Sequence, residues 1–222
     1  KEAWINLMKV ISHELLNSLT PIRSLSQNLY ELVQQETLSQ EDLEDMKQSV
    51  ATMLNRSNHL QQFVESYRKL AMLPSPKKDK VELSQLISES LQIMAPLFKQ
   101  EKIQISNEIS FKRWLEIDKN QMEQVLINLL TNSIYALSER KEKQITITAE
   151  VKEKRIFITI TDTGIGIDTE IKDKIFLPFF TTRKEGAGIG LTLSKSIVEA
   201  HGGYLAFQNE NDTTSFVICL LE

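Results

Sequence analysis

PFFTTRKEGAGIGLTLSKSIVEAHGG, residues 178–203, is where the reading of this chain is decided: a glycine-studded loop runs without a break into an amphipathic helix. Gly186, Gly188 and Gly190 give the loop its freedom, and the unpaired N–H groups and dipole of the helix start favour a phosphate there. The spacing is not that of a P-loop, since no glycine–lysine–Ser/Thr triplet follows, and it is not the dinucleotide fingerprint either. Arg183 and Lys184 stand just before the glycines, where they can neutralise phosphate charge or simply be solvated.

Upstream lie two further segments suited to the same ligand. In TDTGIGI (161–167), Asp162 ends a strand and can accept a hydrogen bond from an exocyclic amine such as adenine N6. Gly164 and Gly166 let the backbone approach a ligand closely. In QVLINLLTNSIYAL (124–137), Val125, Leu126, Leu129, Leu130 and Ala136 form an apolar side, while Asn128 and Asn132, four apart, share a face. Their carboxamide oxygens suit hydrated Mg²⁺ and phosphate, because magnesium keeps several waters and takes few protein ligands. Taken singly, the first of these segments also fits a plain glycine turn and the second an ordinary amphipathic helix.

Around these segments the pattern alternates between helix and strand. Ser84 is expected to cap a helix to about Gln100, and Asp118 to open one through about Glu139. IQISNEI, WLEI, QITITAEV, RIFITITD, YLAFQN and TSFVICLL read as strands, the third and fourth joined by a tight turn. Strands mixed with helices indicate an α+β sandwich with helices on one face of a mixed sheet. The break Pro74-Ser75-Pro76-Lys77-Lys78 sets this region apart, giving expected boundaries of 1–73, a hinge at 74–80, and 81–222.

The first 73 residues are different in kind, with no glycine and a single proline, Pro21. Trp4, Met8, Ile11, Leu15, Ser18, Ile22, Leu25, Leu29 and Leu32 recur at spacings of four and three. Leu43, Met46, Val50, Met53, Ser57, Leu60, Val64, Tyr67 and Ala71 do the same, after an N-cap at Ser39 with Asp42 three residues on. Two long helices joined by a short connection form an antiparallel hairpin, whose seams a second copy would cover in a four-helix bundle. A homodimer is therefore expected.

Composition bounds the rest. With 41% hydrophobic and 25% charged residues, the 222-residue chain is an ordinary soluble globular protein of two domains. A net charge of −4 gives no general reason to expect nucleic acid or an anionic membrane as partner. One cysteine, Cys219, excludes an intramolecular disulfide and fits a reducing, cytoplasmic setting. No apolar run approaches the roughly 20 residues that span a bilayer. The chain opens already in helical pattern, like a piece of something longer, which leaves a membrane anchor upstream open.

In order and spacing these segments resemble the N, G1, F and G2 boxes of the histidine kinases, within the GHKL class of ATPases. The resemblance implies a dimeric helical hairpin followed by a GHKL-type α/β sandwich, with ATP and Mg²⁺ as cofactors. Asn128 and Asn132 would then lie at Mg²⁺ and phosphates, Asp162 at adenine, and Gly186, Gly188 and Gly190 in an ATP lid. Phe179 and Phe180 match the aromatic box beneath the lid. Phe180, Thr181, Thr182, Arg183, Lys184, Leu191 and Thr214 fall at positions near the nucleotide, with Gly164 and Gly166. Tyr135 stands where some relatives carry lysine, so phosphate charge must be met by Arg183 or Lys184; Thr213 replaces a frequent glycine.

SHELLNSLTPI (12–22) resembles the family's phosphoacceptor box, closest to a nitrogen-sensor-like subgroup. With Ile11 and Leu15 on the seam, His13 faces solvent, where another domain can reach it. Glu14 can take the proton that leaves the imidazole, and Asn17, one turn on, can orient a water for the hydrolytic reverse. Pro21 is expected to bend the helix. The implied activity is that of a protein-histidine kinase: ATP-dependent phosphorylation of His13, then transfer to an aspartate on a response-regulator receiver domain. His59 and His201 are not candidates for chemistry. The asparagine at 128 argues against a chaperone or mismatch-repair type of ATPase, which uses a glutamate base there. Intact asparagines, glycines and His13 argue against a non-catalytic scaffold.

Overall fold

A computed structural model describes residues 2–183, 186, 188–210 and 213–221, with side chains from residue 11 onward. Lys184, and the side chains of Trp4 and Met8, lie outside the described residues. The chain divides into a helical unit ending at Ala71 and an α/β unit beginning at Met72.

Two 32-residue helices form the first unit: α1 (Glu2–Val33) and α2 (Gln40–Ala71). The connection stops and restarts the helix with the expected reciprocal cap. Ser39 N donates to Asp42 Oδ2 at 2.8 Å, and Asp42 N donates to Ser39 Oγ at 3.1 Å. Pro21 lies inside α1, which stays helical on both sides of it. On α1 the seam is as expected: Ile11, Leu15, Ile22, Leu25, Leu29 and Leu32 are half-buried and Ser18 is fully buried. On α2 it is not. Met46, Met53, Leu60 and Tyr67 are half-buried, Phe63 and Ser66 are buried, and Leu43, Val50, Ser57, Val64 and Ala71 are exposed. Met53 Sδ accepts a hydrogen bond from Ser26 Oγ of α1, which fixes the inward row. The apolar residues of α2 thus form two rows, only one of them turned to α1.

In the second unit, β1 (Asp79–Glu82) and β3 (Trp114–Ile117) pair antiparallel. A five-stranded sheet is ordered β2-β4-β5-β7-β6, from Gln104–Asn107, Gln144–Lys152, Arg155–Asp162, Thr213–Leu221 and Tyr204–Glu210. Its β2–β4 pair is parallel and the others antiparallel, so the sheet is mixed as expected. Alternation puts Ile156, Ile158, Ile160 and Asp162 on one face of β5, opposite Leu220, Ile218, Phe216 and Thr214 of β7. Helices α3 (Leu83–Glu101), α4 (Lys119–Ala136) and α5 (Gly190–Ala200) supply Leu83, Ile87, Met94, Leu126, Leu129 and Ile197 to the same core. Each such side chain is worth about 1.5–3 kcal/mol when fully buried.

Several boundaries differ from the sequence reading. Ser84 is not a cap: α3 starts at Leu83 after Glu82, and the Ser84 hydroxyl donates to the Glu82 carboxylate instead. Asp118 does cap α4, accepting from Gln121 N at 3.1 Å, but the helix ends at Ala136. Strand β1 begins inside the stretch read as hinge, and that stretch is fastened to the unit. Gln121 Nε2 donates to Pro74 O at 2.9 Å, and Lys77 N to Asp118 Oδ2 at 2.9 Å. His201 completes the clasp, its Nε2 accepting from Asp118 N while Nδ1 donates to Ile197 O. Burial raises the Asp118 carboxyl, but the N–H donors Gln121, Lys77 and Asn120 outweigh it and hold the pKa below the ordinary value. Among the described residues no helix is long and apolar enough to cross a membrane.

Candidate functional site

The candidate residues of the α/β unit gather along α4, the end of β5 and the start of α5. At one end lies Asp162, the last residue of β5, 1% exposed on the inward face. Ser133 Oγ donates to its Oδ2 at 2.8 Å and Gly164 N to its Oδ1 at 3.0 Å, which fixes the carboxylate plane. Burial pushes this carboxyl above the ordinary Asp range, against the two hydrogen bonds. Each oxygen retains a lone pair for an external donor. Thr214 pairs with Asp162 across the strands, is buried, and donates to Asn209 Oδ1 at 3.2 Å.

Gly164 is required here by space. A Cβ would stand 2.6 Å from both the Ala136 methyl and Asp162 Oδ1. Gly166 is required by conformation, with φ at +80° and open space around it. At Gly188 both reasons apply, because φ is +66° and a Cβ would run into the backbone of Phe179. Gly190 meets only ordinary contact, with Asn128 Cγ at 3.9 Å. It opens α5, whose N-cap Ile189 has no side-chain cap, so the helix start keeps N–H groups available to an anion. Leu191 lies half-buried in that first turn, and Gly186 sits in the preceding loop.

Asn128 and Asn132 do share a face of α4. Asn128 Nδ2 donates to Gly190 O (3.5 Å) and Ser194 Oγ (3.4 Å), leaving its oxygen for other partners. Asn132 Oδ1 accepts from Arg183 Nη2 at 2.5 Å. The guanidinium also lies over the Tyr135 ring, 4.3 Å from its centroid, and Thr181 Oγ1 accepts from Arg183 N at 3.0 Å. Thr182 is exposed. No group of three or more acidic, histidine or cysteine side chains suited to a metal occurs among the described residues. The amide oxygens nevertheless fit a magnesium that keeps its waters and its phosphates, and the cation already resting on Asn132 Oδ1 shows that this oxygen faces positive charge.

In the aromatic box Phe179 adopts φ +64° and Phe180 is half-buried. Close by in the chain, the Phe176 ring lies 6.3 Å from that of Phe207, which lies 6.4 Å from that of Phe216. Sequence reasoning passed over Phe176, and also Ser133, Ser194, Asn209 and Arg140, whose Nη2 donates to Gly164 O at 2.9 Å. Ser133 carried a signal: it is polar on the stripe of Leu126, Leu129, Leu130 and Leu137, which no surface role explains.

On the helical unit, His13 is exposed and Glu14 half-buried. Asn17 Nδ2 lies 2.9 Å from His13 Nδ1. One turn of helix therefore brings the imidazole and the carboxamide into direct contact, the arrangement expected from their spacing.

Comparison with known proteins follows the same division. Residues 117–222 match the family described as "Histidine kinase-, DNA gyrase B-, and HSP90-like ATPase". A putative NtrY-like sensor histidine kinase of Rickettsia felis is 28% identical over 97% of this chain, which spans 35% of that relative. The chain thus covers about a third of the length of such relatives. The nucleotide-free catalytic domain of the histidine kinase ThkA superposes with a TM-score of 0.59 at 31% identity, over 64% of this chain and 95% of that one. ThkA in complex with the response regulator protein TrrA gives a TM-score of 0.68 at 22% identity, over 97% of this chain and 61% of that one, which shows likeness of fold.

Proposed function

The chain belongs to the histidine kinase family, and from that premise we propose that it uses Mg²⁺-ATP to phosphorylate His13 and passes the phosphoryl group to an aspartate of a response-regulator receiver domain. The observation that carries this reading is that one chain holds both an exposed His13, with Asn17 at its Nδ1, and a buried Asp162 whose carboxylate is fixed by Ser133 and Gly164. ThkA, a structural relative, has been solved with a response regulator, which supports the class of partner.

Each residue has a role in this scheme. Asp162 accepts the adenine amine, and the Gly164–Gly166 turn lets the base lie against backbone. The start of α5 and Arg183 receive phosphates. Magnesium held by the Asn128 and Asn132 oxygens would neutralise phosphate charge, which is most of what phosphoryl transfer asks of a protein. At His13, Nε2 is nucleophilic when Nδ1 carries the ring proton. Rotating the Asn17 amide, whose O and N are interchangeable by shape, lets Oδ1 accept that N–H and fix the tautomer. Attack forms the Nε2–P bond, breaks the bond to the β-phosphate oxygen and releases ADP. Glu14 then takes the Nδ1 proton from the cationic ring.

Dimerisation through the hairpin belongs to the same reading. Leu16, Leu19 and Val33 of α1, with Leu43, Val50, Leu54 and Val64 of α2, leave apolar surface exposed that a second copy would cover. With Pro74 bonded to Gln121, the hinge in the same reading is residues 72–73 rather than 74–80. A reverse, phosphatase activity fits Asn17 beside His13.

Incubation of wild type and His13→Gln with Mg²⁺ and γ-labelled ATP tests the core of it. Acid-labile label on the wild type alone is the expected result. Equal labelling of both would move the acceptor elsewhere, and absent ATP binding would overturn the nucleotide reading.

A further inference from the structure

The contact between Arg183 and Asn132 has no role in the scheme above, and it stands on the atom where a metal is required. Three groups within the α/β unit hold this arginine. Thr181 Oγ1 fixes its backbone N–H, the Tyr135 ring lies under its guanidinium at 4.3 Å, and Asn132 Oδ1 accepts from Nη2 at 2.5 Å. Tyr135 follows Asn132 by three residues on α4, so ring and amide oxygen present one face of the helix to the same cation. The side chain is half-buried, and burial disfavours its charge, which Tyr135 offsets only in part.

We propose that Arg183, seated on Tyr135, is a tethered cation that occupies the Asn132 metal position in the empty site, and that entry of Mg²⁺-nucleotide displaces it onto the phosphates. The inference rests on the kinase reading of this site and adds to it a device particular to this chain. A lysine at position 135 would put a fixed charge on α4. A tyrosine there carries none; it holds a charge that belongs to the loop leading into the glycines. A metal ion and the cationic guanidinium repel each other at one amide oxygen, so each weakens the other at Asn132. Once displaced, the planar guanidinium can pair with phosphate oxygens bidentately. Release of Arg183 from Asn132 is thereby coupled to arrival of metal and phosphates together. Adenosine, which has no phosphate and brings no metal, leaves the contact in place. Tyr135 acts through Arg183 and is a positioning residue.

Titration calorimetry on the whole chain separates these roles, with ATP binding followed as Mg²⁺ is raised from zero in EDTA. Arg183→Ala is expected to shift the magnesium midpoint about fivefold lower, since a competitor is gone. It should also weaken metal-free ATP about tenfold, since a phosphate partner is gone, the scale of one charge-assisted hydrogen bond. Tyr135→Phe keeps the ring face and the wild-type midpoint, while Tyr135→Ala moves toward Arg183→Ala. Adenosine affinity stays unchanged in all three, which also shows that each variant is folded. An unchanged magnesium midpoint in Arg183→Ala overturns the proposal and leaves the kinase reading standing. Equal behaviour of Tyr135→Phe and Tyr135→Ala overturns the seat. A wild type that binds no ATP at any magnesium concentration overturns the nucleotide reading itself.

Discussion

The helical hairpin and the α/β unit handle burial in opposite ways. Among the described residues of the hairpin, only Ser18, Phe63 and Ser66 are fully buried, and two of the three are polar. In the α/β unit a continuous core runs from Leu83 and Ile87 through Leu126, Leu129 and Ile160 to Ile218 and Leu220. The hairpin therefore leaves its second apolar row exposed, while the α/β unit buries its own core. That self-sufficiency lets it hold a carboxylate, Asp162, in an inward strand position where an isoleucine would pack. The proposed chemistry sits accordingly: on the outside of the hairpin at His13, and on the inside of the α/β unit at Asp162.

Charging the exposed row gives the largest effect that would break this contrast. Val50→Asp with Leu54→Asp places two carboxylates, one helical turn apart, on the proposed seam. The dimer dissociation constant should rise about a hundredfold or more, read by sedimentation, with nucleotide affinity of the α/β unit unchanged. A dimer that survives would put the interface elsewhere.

Asp162→Asn sharpens the comparison from the other side. ATP affinity should fall about tenfold to a hundredfold, the scale of a hydrogen bond to a charged acceptor. Stability of the nucleotide-free protein should hold or rise. The sign follows from burial: the folded pKa of Asp162 lies above its unfolded value, so its contribution falls as pH climbs from the unfolded toward the folded value. The amide does not titrate, and the variant's melting temperature should drop less over that interval.

Ser39→Ala is the smallest test. Losing the reciprocal cap should cost the hairpin about 1 kcal/mol, lowering its melting temperature without moving a separate transition of the α/β unit. A shift shared by both transitions would show that the units melt as one.

Legibility in the sequence follows the range of the interactions. Ser39 and Asp118 were readable as caps because each bonds within three residues of itself. Asn128 with Asn132, and His13 with Asn17, were readable because helical spacing alone puts them on one face. Strand β1 was not: Asp79–Glu82 is four residues with one apolar side chain, and only pairing with Trp114–Ile117 makes it a strand. The α2 seam was readable as a row of apolar positions, but which of them α1 covers was not: α1 makes that choice through contacts such as Ser26 with Met53. The row Phe176–Phe207–Phe216 was not readable, because Phe176 meets Phe207 and Phe207 meets Phe216 only in the packed fold.

By itself the sequence determined that this is a helical hairpin followed by an α+β sandwich, with His13 outward and glycines bounding a candidate nucleotide site. Periodicity, capping and turn chemistry act over a few residues and need no other part of the chain to be expressed. Only the tertiary structure decided that Ser133 orients Asp162, that His201 fastens the stretch after Pro74, and that Arg183 rests on Asn132. Each of those contacts joins residues about 29 to 83 positions apart, or bridges two elements through a third. Their geometry exists only once the sheet and helices have packed, because no local rule brings such side chains within hydrogen-bonding distance.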